Sequence, residues 1–310
     1  MKVYNKLNDE EKKYIENSYQ IKINRIEFID MGILNLTFML MTDKKKYILR
    51  IYEADRSLEE EKQEIELLEK ISESIPVPRV IKNKKSEYIT EYNNKKIALF
   101  NYIEGSILTS KDINQAIIRE IAWYLGKLHK FSESFNLKNF NRKTRIDLDF
   151  YLNEIKKSKI EFEGKEKIFL LAQDLEKINF KSLPSGIIHS DIFPDNIIMK
   201  DGHINGIIDF NEAHYGPFVY DLAIVINFWI RDKKFLSFQK ENDMIRDFLN
   251  NYSRHRRLEK EEIKLLNYAC KKMFLTFIAL RFYKEKIEKS DKFLLGLKNK
   301  NYLSLMKLLD

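Results

Sequence analysis

Residues 186–229 read GIIHSDIFPDNIIMKDGHINGIIDFNEAHYGPFVYDLAIVINFW, and this stretch decides the fold. A short apolar run opens it, and a polar loop follows. Two further apolar runs flank the Asp201-Gly202 pair, which is a strong signal for a two-residue β-hairpin turn. Such a hairpin folds the chain back on itself and returns Asp209 towards Asn196. The sequence therefore predicts that Asp191, Asn196 and Asp209 surround one small volume.

Two carboxylates and a carboxamide at close range suit a hard cation that prefers oxygen ligands. Their spacing is typical of phosphoryl transfer, in which Asp191 orients the attacking hydroxyl as the catalytic residue while Asn196 and Asp209 bind Mg²⁺. Protein kinases have Arg and Gly where this chain has Ser190 and Asn211, which argues against a protein kinase. An ordinary polar loop beside a hairpin is the alternative interpretation. The complete spacing favours a kinase-like phosphotransferase that uses ATP and Mg²⁺.

Two further residues of this stretch are predicted to support the loop without touching the substrate. His189 precedes the catalytic carboxylate by two positions, and we expect it to orient the loop backbone. Asp221 stands before the apolar Leu222-Ala223 pair, and we expect it to brace the loop by hydrogen bonding.

The composition is that of a globular protein of 310 residues, with 44% hydrophobic and 33% charged residues, which is enough chain for two unequal lobes. The net charge is +8, but Lys alternates with Glu and no long basic block occurs, which argues against a nucleic-acid partner. The one cysteine, Cys270, excludes an internal disulfide. No signal peptide or membrane-spanning segment is expected, so the sequence predicts a cytoplasmic protein, as a monomer or a homodimer.

The pattern of apolar residues predicts an α+β, bilobal, protein-kinase-like fold. An antiparallel five-stranded sheet with one inserted helix forms the nucleotide-binding lobe, residues 1–102, and a larger, mostly helical lobe, residues 103–310, carries catalysis and substrate binding. The predicted strands of the first lobe are 21–28, 37–41, 46–52, 87–91 and 96–102. Ser57 and Glu60 form a capping box that starts the inserted helix. The other predicted helices are 9–18, 113–131, 146–157, 166–177, 218–230, 236–252, 260–288 and 301–309.

In the third strand, Arg50 occupies the position where a kinase places the lysine that reaches the nucleotide phosphates. Because side chains alternate along a strand, Arg50 shares a face with Ile48. Glu61 and Glu64 on the inserted helix are both candidate partners of Arg50, and Glu64 is predicted to have a structural, supporting role. A solvated strand arginine is the alternative to the phosphate-binding role.

Backbone contacts to the nucleotide are predicted at two other places. Gly32 and Asn35 lie in the first hairpin turn, where a glycine lets the backbone approach phosphates, although a simple turn needs the same residue. Phe100 and Tyr102 bracket the predicted hinge whose backbone meets adenine, and an edge strand is the alternative.

Arg281 interrupts an apolar run of a long helix, FIALRFY. A buried guanidinium is costly unless an anion compensates it. The sequence therefore leaves two interpretations open, a structural ion pair or a site for a substrate anion.

With these residues in view, the chain resembles the small-molecule kinases related to aminoglycoside phosphotransferases and choline kinases, and within them the bacterial homoserine kinases. The segments that carry the resemblance are MKVYNKLNDEEKKYI, GIIHSDIFPDNIIM, GIIDF, YDLAIVINFW, ALRFY and NYLSLMKLL. Two features depart from the family: residues 33–38 read ILNLTF where members have a more Asn-rich run, and Arg50 stands where members vary.

The resemblance implies transfer of the ATP γ-phosphoryl group to the side-chain hydroxyl of homoserine, a step towards threonine. Arg281 would then bind the carboxylate of the amino acid. A related kinase for choline, a sugar or an aminoglycoside is one alternative, and a nucleotide-binding pseudokinase that acts as an interaction module is another. The presence of Asp191, Asn196 and Asp209 argues against the pseudokinase.

Overall fold

The computed structural model describes residues 6–29, 35–53, 56–134, 140–231, 237–290 and 301–306. The chain divides into two compact units. The smaller unit comprises Met1–Gly105 with Asn205–Ile207, and the larger comprises Ser106–Ile204 with Ile208–Asp310.

The smaller unit is built on an antiparallel sheet. Its elements are α1 (Asp9–Tyr19), β1 (Arg25–Ile29), β2 (Asn35–Met41), β3 (Lys46–Tyr52), α2 (Leu58–Ile71), β4 (Val80–Ile81), β5 (Thr90–Tyr92) and β6 (Lys95–Asn101). The strand order is β1-β2-β3-β6-β4, and β5 also pairs with β6. Within the described residues the sheet has six strands, so the predicted number of five was wrong, because the two-residue β4 is too short to show an alternating pattern. The predicted first strand also began too early, since β1 starts at Arg25.

Reciprocal side-chain caps start both helices of this unit. The Asn8 side chain accepts a hydrogen bond from the Glu11 N–H at 2.9 Å, and Glu11 accepts one from the Asn8 N–H at 3.0 Å. The predicted box at Ser57 and Glu60 forms in the same way, with distances of 3.2 and 3.0 Å. Each box satisfies amide donors that the first turn of a helix leaves open.

The two faces of the sheet differ in burial. Leu49 and Ile51 of β3 are fully buried and belong to a core that includes Phe38 of β2 and Ile15 of α1. Arg50 lies between them in sequence and therefore points to the opposite, half-buried face.

The larger unit is mostly helical. Its elements are β7 (Ser106–Ile107), α3 (Gln115–Ser134), α4 (Leu148–Ser158), α5 (Lys165–Glu176), β8 (Ser185–Ile188), β9 (Ile197–Lys200), β10 (His203–Ile207), β11 (His214–Pro217), α6 (Val219–Val225), α7 (Phe238–Tyr252), α8 (Lys260–Phe282) and α9 (Tyr302–Met306); the last part of β10 groups with the smaller unit. One small sheet has the order β10-β9-β7, and β8 pairs with β11. Two π-helical turns, Ile226–Arg231 and Tyr283–Ile287, extend α6 and α8 where the sequence pattern predicts regular helix.

The predicted hairpin turn between β9 and β10 is confirmed. Asp201 and Gly202 both have positive φ, 51° and 82°, as a type I′ turn requires. In the part of the chain that the structure describes, no helix combines the length and the apolar character needed to cross a membrane.

Candidate active site

The loop after β8 holds Asp191 against Asn196. The Asn196 side-chain Nδ2 donates hydrogen bonds to the Asp191 carbonyl oxygen at 2.7 Å and to its carboxylate Oδ2 at 3.0 Å. The Phe193 N–H also donates to the Asp191 carbonyl at 2.8 Å. Because Nδ2 faces Asp191, the amide oxygen of Asn196 is directed away from it, which is the orientation that a metal ligand needs.

Backbone pairing brings Asp209 to the same loop. The N–H of Ile208, the residue before Asp209, donates to the Asn196 carbonyl at 2.9 Å. Asp209 itself has φ 63° and ψ 60°, a left-handed conformation that Asp tolerates better than most residues. The larger unit therefore places all three residues singled out in the sequence around one loop.

His189 links the two halves of this loop. Its Nδ1 accepts a hydrogen bond from the Asp191 N–H at 3.2 Å, and its Nε2 lies 3.1 Å from the Ile208 carbonyl oxygen. This pattern assigns the Nε2–H tautomer. Burial lowers the pKa of His189, although Asp221 and Asp209 act in the opposite direction, so the ring is neutral at pH 7. The geometry suits the supporting role that the sequence predicts.

Asp221 of α6 binds the backbone at the start of the loop. Its two carboxylate oxygens accept hydrogen bonds from the backbone N–H groups of His189 and Ser190, both at 2.8 Å, and the side chain is fully buried. Burial alone would raise the pKa of Asp221, but hydrogen bonds from the His129 ring and the His189 backbone N–H hold it below its usual value. Asp221 therefore stays ionised and keeps both acceptors.

The electrostatics of the loop call for a cation. Burial, together with the negative charges of Asp209, Glu212 and Asp195, raises the pKa of Asp191 well above its usual value. Bound Mg²⁺ would offset that repulsion. Among the described residues, no group of three His, Cys, Asp or Glu forms a complete cage. Mg²⁺ takes one or two carboxylates plus phosphate oxygens and water, and Asn196 and Asp209 offer it a carboxamide oxygen and a carboxylate.

Two arginines that the sequence analysis missed fix the segment after Asp209. Arg142 is buried, and its guanidinium donates to the Asn211 carbonyl at 2.8 Å and the Phe210 carbonyl at 3.4 Å. Arg145 forms an ion pair with the buried Glu212, with Nε to Oε1 at 2.8 Å. Nothing in the local sequence pairs these residues, because their partners lie 67 to 69 positions away.

The Asn-Phe-Trp triplet at the end of the central stretch contacts both the catalytic loop and α8. The Trp229 indole N–H donates to the Ile192 carbonyl at 2.8 Å, and Asn227 donates to the Cys270 carbonyl of α8 at 2.7 Å. Both side chains lie in the π-helical turn after α6, whose wider spacing replaces the regular helical pattern.

A buried polar network extends from Asp221 away from the loop. Asp221 accepts from His129 of α3 at 3.1 Å, and the other ring nitrogen of His129 lies 2.8 Å from the Tyr252 hydroxyl. Arg256 donates to the same hydroxyl at 3.1 Å and forms a two-point contact with Glu262 at 2.9 and 3.0 Å. The catalytic loop thus belongs to one connected polar network, which the sequence analysis did not detect.

In the smaller unit, Arg50 forms an ion pair with Glu64, one of its two candidate partners, at 2.8 Å. The Glu64 side chain is fully buried, whereas Arg50 retains 15% exposure. The guanidinium carbon also lies 5.2 Å from the centre of the Phe100 ring. This arrangement fixes a cation with a remaining exposed edge, as a phosphate-binding residue requires.

The other residues that are predicted to contact the nucleotide differ in their burial and surroundings. Phe100 is buried inside β6, between Ile48 of β3 and Val80 of β4, so it does not occupy a free edge. Tyr102 follows the end of β6 and is half-buried beneath the Lys46 ammonium group. Asn35 begins β2, and its side chain accepts a hydrogen bond from the Glu53 N–H at 3.3 Å. Gly32 lies outside the described residues.

Arg281 is buried in α8, with 5% exposure. It lies one helical turn after Phe277, on the same face of the helix. The Phe277 ring packs edge-on against Phe193 of the catalytic loop, with ring centres 4.8 Å apart. The structure therefore places Arg281 on the face of α8 that meets the loop of Asp191.

The chain is similar to known phosphotransferases in sequence. A family model described as APH, phosphotransferase enzyme family, matches residues 25–256. The homoserine kinase of Zymomonas mobilis is 29% identical over 293 residues, covering 89% of this chain and 88% of that protein. The homoserine kinase of Rhizobium meliloti is 26% identical, covering 91% of this chain and 86% of that protein.

The same class appears among solved structures. An amicoumacin kinase in complex with AMP-PNP and Ca²⁺ has a TM-score of 0.72 at 15% identity, covering 95% of this chain and 92% of its own. At that identity the likeness concerns the fold. It confirms the predicted α+β kinase-like class.

Proposed function

This chain belongs to the phosphotransferase enzyme family, and on that premise we propose that it phosphorylates the side-chain hydroxyl of L-homoserine. As a member it is a small-molecule kinase that uses ATP and a divalent metal ion and acts on a hydroxyl group. Homoserine is favoured because relatives of that name align over about nine-tenths of both chains.

The geometry of the catalytic loop is the observation that carries the chemistry. Asn196, His189 and Asp221 fix Asp191 from three directions, through its side chain and the backbone around it. We propose that Asp191 orients the homoserine hydroxyl and accepts its proton as the hydroxyl oxygen bonds to the γ-phosphorus of ATP, the bond from that phosphorus to the bridging oxygen breaks and ADP leaves. Bound Mg²⁺ would neutralise charge on the ATP phosphates, with Asn196 and Asp209 as its protein ligands. Arg50, held by Glu64, is the proposed phosphate contact in the smaller unit.

The substrate carries an ammonium, a carboxylate and one primary hydroxyl, so the site needs a cation for the carboxylate. We propose Arg281, because its face of α8 meets Phe193, two residues after Asp191. A guanidinium can bind a carboxylate at two points, which gives orientation as well as affinity.

A turnover assay with Mg²⁺·ATP tests the proposed substrate. L-Homoserine, 3-aminopropanol, choline, a hexose and kanamycin are compared at equal concentration, and the phosphorylated product is identified by ³¹P NMR. We expect kcat/KM for L-homoserine to exceed that of every other acceptor by at least about 10²-fold, because an acceptor that lacks the carboxylate loses the charge-assisted contacts proposed for Arg281. A higher kcat/KM for kanamycin or choline would overturn the substrate while leaving the kinase chemistry intact.

L-Homoserine methyl ester is the matched acceptor for the carboxylate. It retains the hydroxyl and the ammonium, so it differs only in the group that Arg281 is proposed to bind. We expect its kcat/KM to fall with the loss of the carboxylate, and an unchanged value would count against this mode of recognition.

The cytoplasmic location and the state as monomer or homodimer stay predictions from the sequence.

A further inference from the structure

A pocket of about 550 Å³ lies in the larger unit, at the end of the β8–β11 pair that is remote from the catalytic loop. Ser185 and Pro217, which pair at that end, both line it. The opposite end, where Ile188 pairs with His214, leads into the loop. The four residues of β8 separate the two ends by about 10 Å. None of the residues assigned to catalysis, metal or substrate lines this pocket.

Lys272 of α8 lines this pocket. The Lys272 ammonium group of α8 lies 5.0 Å from the centre of the Phe180 ring and 5.6 Å from that of Tyr220. Across the described residues, Lys272 makes no hydrogen bond or ion pair. Asp147 and Asp149 attract it from a greater distance, and Asp147 already caps α4. Burial nevertheless lowers the pKa of Lys272, so the protein alone leaves this charge undercompensated.

The charged residues in the rest of the pocket lining are also mainly positive. Three lysines, Lys177, Lys181 and Lys272, face one acid, Glu176. Lys177 is compensated by Asp174 outside the pocket at 2.9 Å, whereas Lys181 is exposed. Burial raises the pKa of Tyr220, so its hydroxyl remains a hydrogen-bond donor. The pocket therefore offers positive charge and donors beside the rings of Phe180 and Tyr220.

We propose that this pocket, the Lys272 pocket, binds a small organic anion. Its phosphate or carboxylate group contacts Lys272 and Lys181, and its hydrocarbon part packs on Phe180 and Tyr220. Lysine binds such groups as a point charge, and the Phe180 and Tyr220 rings beside its ammonium group would shield the contact from water. The volume fits a ligand of small-molecule size rather than a protein segment.

Thermal unfolding of the full chain tests the proposal. Saturating Mg²⁺·ADP fills the nucleotide site, and inorganic phosphate, phenyl phosphate and benzoate are then compared with chloride at equal ionic strength. At tenfold excess over Kd a ligand specific to the folded state raises Tm by about 2 °C. We expect the largest rise with phenyl phosphate, because it has both the charge and the ring. A rise in Tm with the phosphates but not with benzoate assigns the site to phosphate esters. A rise with benzoate equal to that with phenyl phosphate shows that the site also accepts carboxylates.

Substitutions of the lining lysines test whether the probe binds in this pocket. Lys272→Met keeps the stem and removes the charge, so we expect it to abolish the rise in Tm, whereas Lys272→Arg should retain at least half of it. Lys271→Met is the matched control, since Lys271 is the exposed neighbour on α8 and does not line the pocket. Lys181→Met gives a second, exposed variant that should also reduce the rise. Equal rises in wild type and in both lining variants, or no rise with any probe, would overturn the proposal.

Discussion

The negative charges of three nearby carboxylates repel the charge of Asp191. The ionised form that catalysis needs is therefore also the form that destabilises the folded protein. Asp191→Asn keeps an oxygen to accept the hydrogen bond from Asn196 but removes the charge. We expect kcat to fall by about 10²- to 10⁴-fold, because the base is lost, while nucleotide affinity is retained. Without metal, the variant should also melt no lower than wild type, because repulsion is relieved.

Steady-state kinetics and thermal unfolding check both parts of this prediction. Asp195→Asn is the matched control, since Asp195 is exposed on the same loop and should leave kcat within a few-fold. A kcat close to wild type in Asp191→Asn would show that another group takes the proton.

Asp209 is expected to act through the metal. Asp209→Ala should abolish the Mg²⁺-dependent part of ATP binding, because the ion loses a carboxylate ligand that Asn196 cannot replace. Calorimetric titration of ATP with and without Mg²⁺ measures this difference. Asp201→Asn, in the exposed hairpin turn, should bind like wild type. If Asp209→Ala binds ATP more tightly with Mg²⁺ than without it, by the wild-type factor, the ligand assignment fails.

Arg281 is tested by changing its shape and keeping its charge. Arg281→Lys cannot make a two-point contact with a carboxylate. We therefore expect KM for homoserine to rise by about tenfold or more, the loss of one charge-assisted hydrogen bond, with KM for ATP nearly unchanged. Arg246→Lys, on the exposed surface of α7, is the control. Loss of folding, or equal rises in both KM values, would make Arg281 a structural ion pair.

At the scale of elements, local patterns predict most of the framework. The alternation in KYILRIY predicts residues 46–52, and β3 spans Lys46–Tyr52. The turn at Asp201-Gly202 and the capping boxes form as their residue types require, because each involves residues at most three positions apart. The two-residue strand Val80–Ile81 is paired only through β6, and no local pattern marks it.

Gly186 of β8 illustrates a packing requirement that the sequence does not show. A Cβ atom there would lie 2.3 Å from the Ser132 hydroxyl and 2.5 Å from the Phe218 ring. Gly186→Ala should therefore lower the free energy of unfolding by about 1–3 kcal/mol, the usual effect of overpacking. Urea denaturation measures the loss.

The hairpin glycine provides the contrast. A Cβ at Gly202 would meet nothing within 4 Å, and its positive φ is one that Asn also adopts. Gly202→Asn should therefore change the free energy of unfolding by less than about 0.5 kcal/mol. If the two variants lose equal stability, backbone strain rather than packing determines both, and the argument for Gly186 is wrong.

At the scale of the whole molecule, the site depends on residues far apart in sequence. The spacing of His189, Asp191, Asn196 and Asp209 predicts the catalytic loop, since a single hairpin joins them. The residues that fix the loop come from elsewhere: His129 contacts Asp221 across 92 positions, and Tyr252 contacts His129 across 123. Such pairs depend on the tertiary fold, and a single sequence gives no local signal for them.

This network makes stability depend on pH through His129. The ring is fully buried and packs against Phe218; Asp221, Tyr252, Arg256 and Glu262 are the polar and charged groups around it. Burial lowers the pKa of His129 below its ordinary value of 6.5, although Asp221 acts in the opposite direction. Below pH 6.5 the unfolded chain therefore holds a proton that the folded chain lacks. Acidification then favours unfolding, by up to about 1.4 kcal/mol per pH unit for this one group.

His129→Gln isolates that contribution from the other titrating groups, which are present in both proteins. The variant loses hydrogen bonds and should be less stable than wild type at pH 7.5. Because it also lacks the titrating ring, the gap in the free energy of unfolding should narrow as the pH falls from 6.5 to 5.5. Urea denaturation at each pH measures the gap. Parallel curves for wild type and His129→Gln would mean that His129 binds its proton equally well in the folded and unfolded states, against the burial described here.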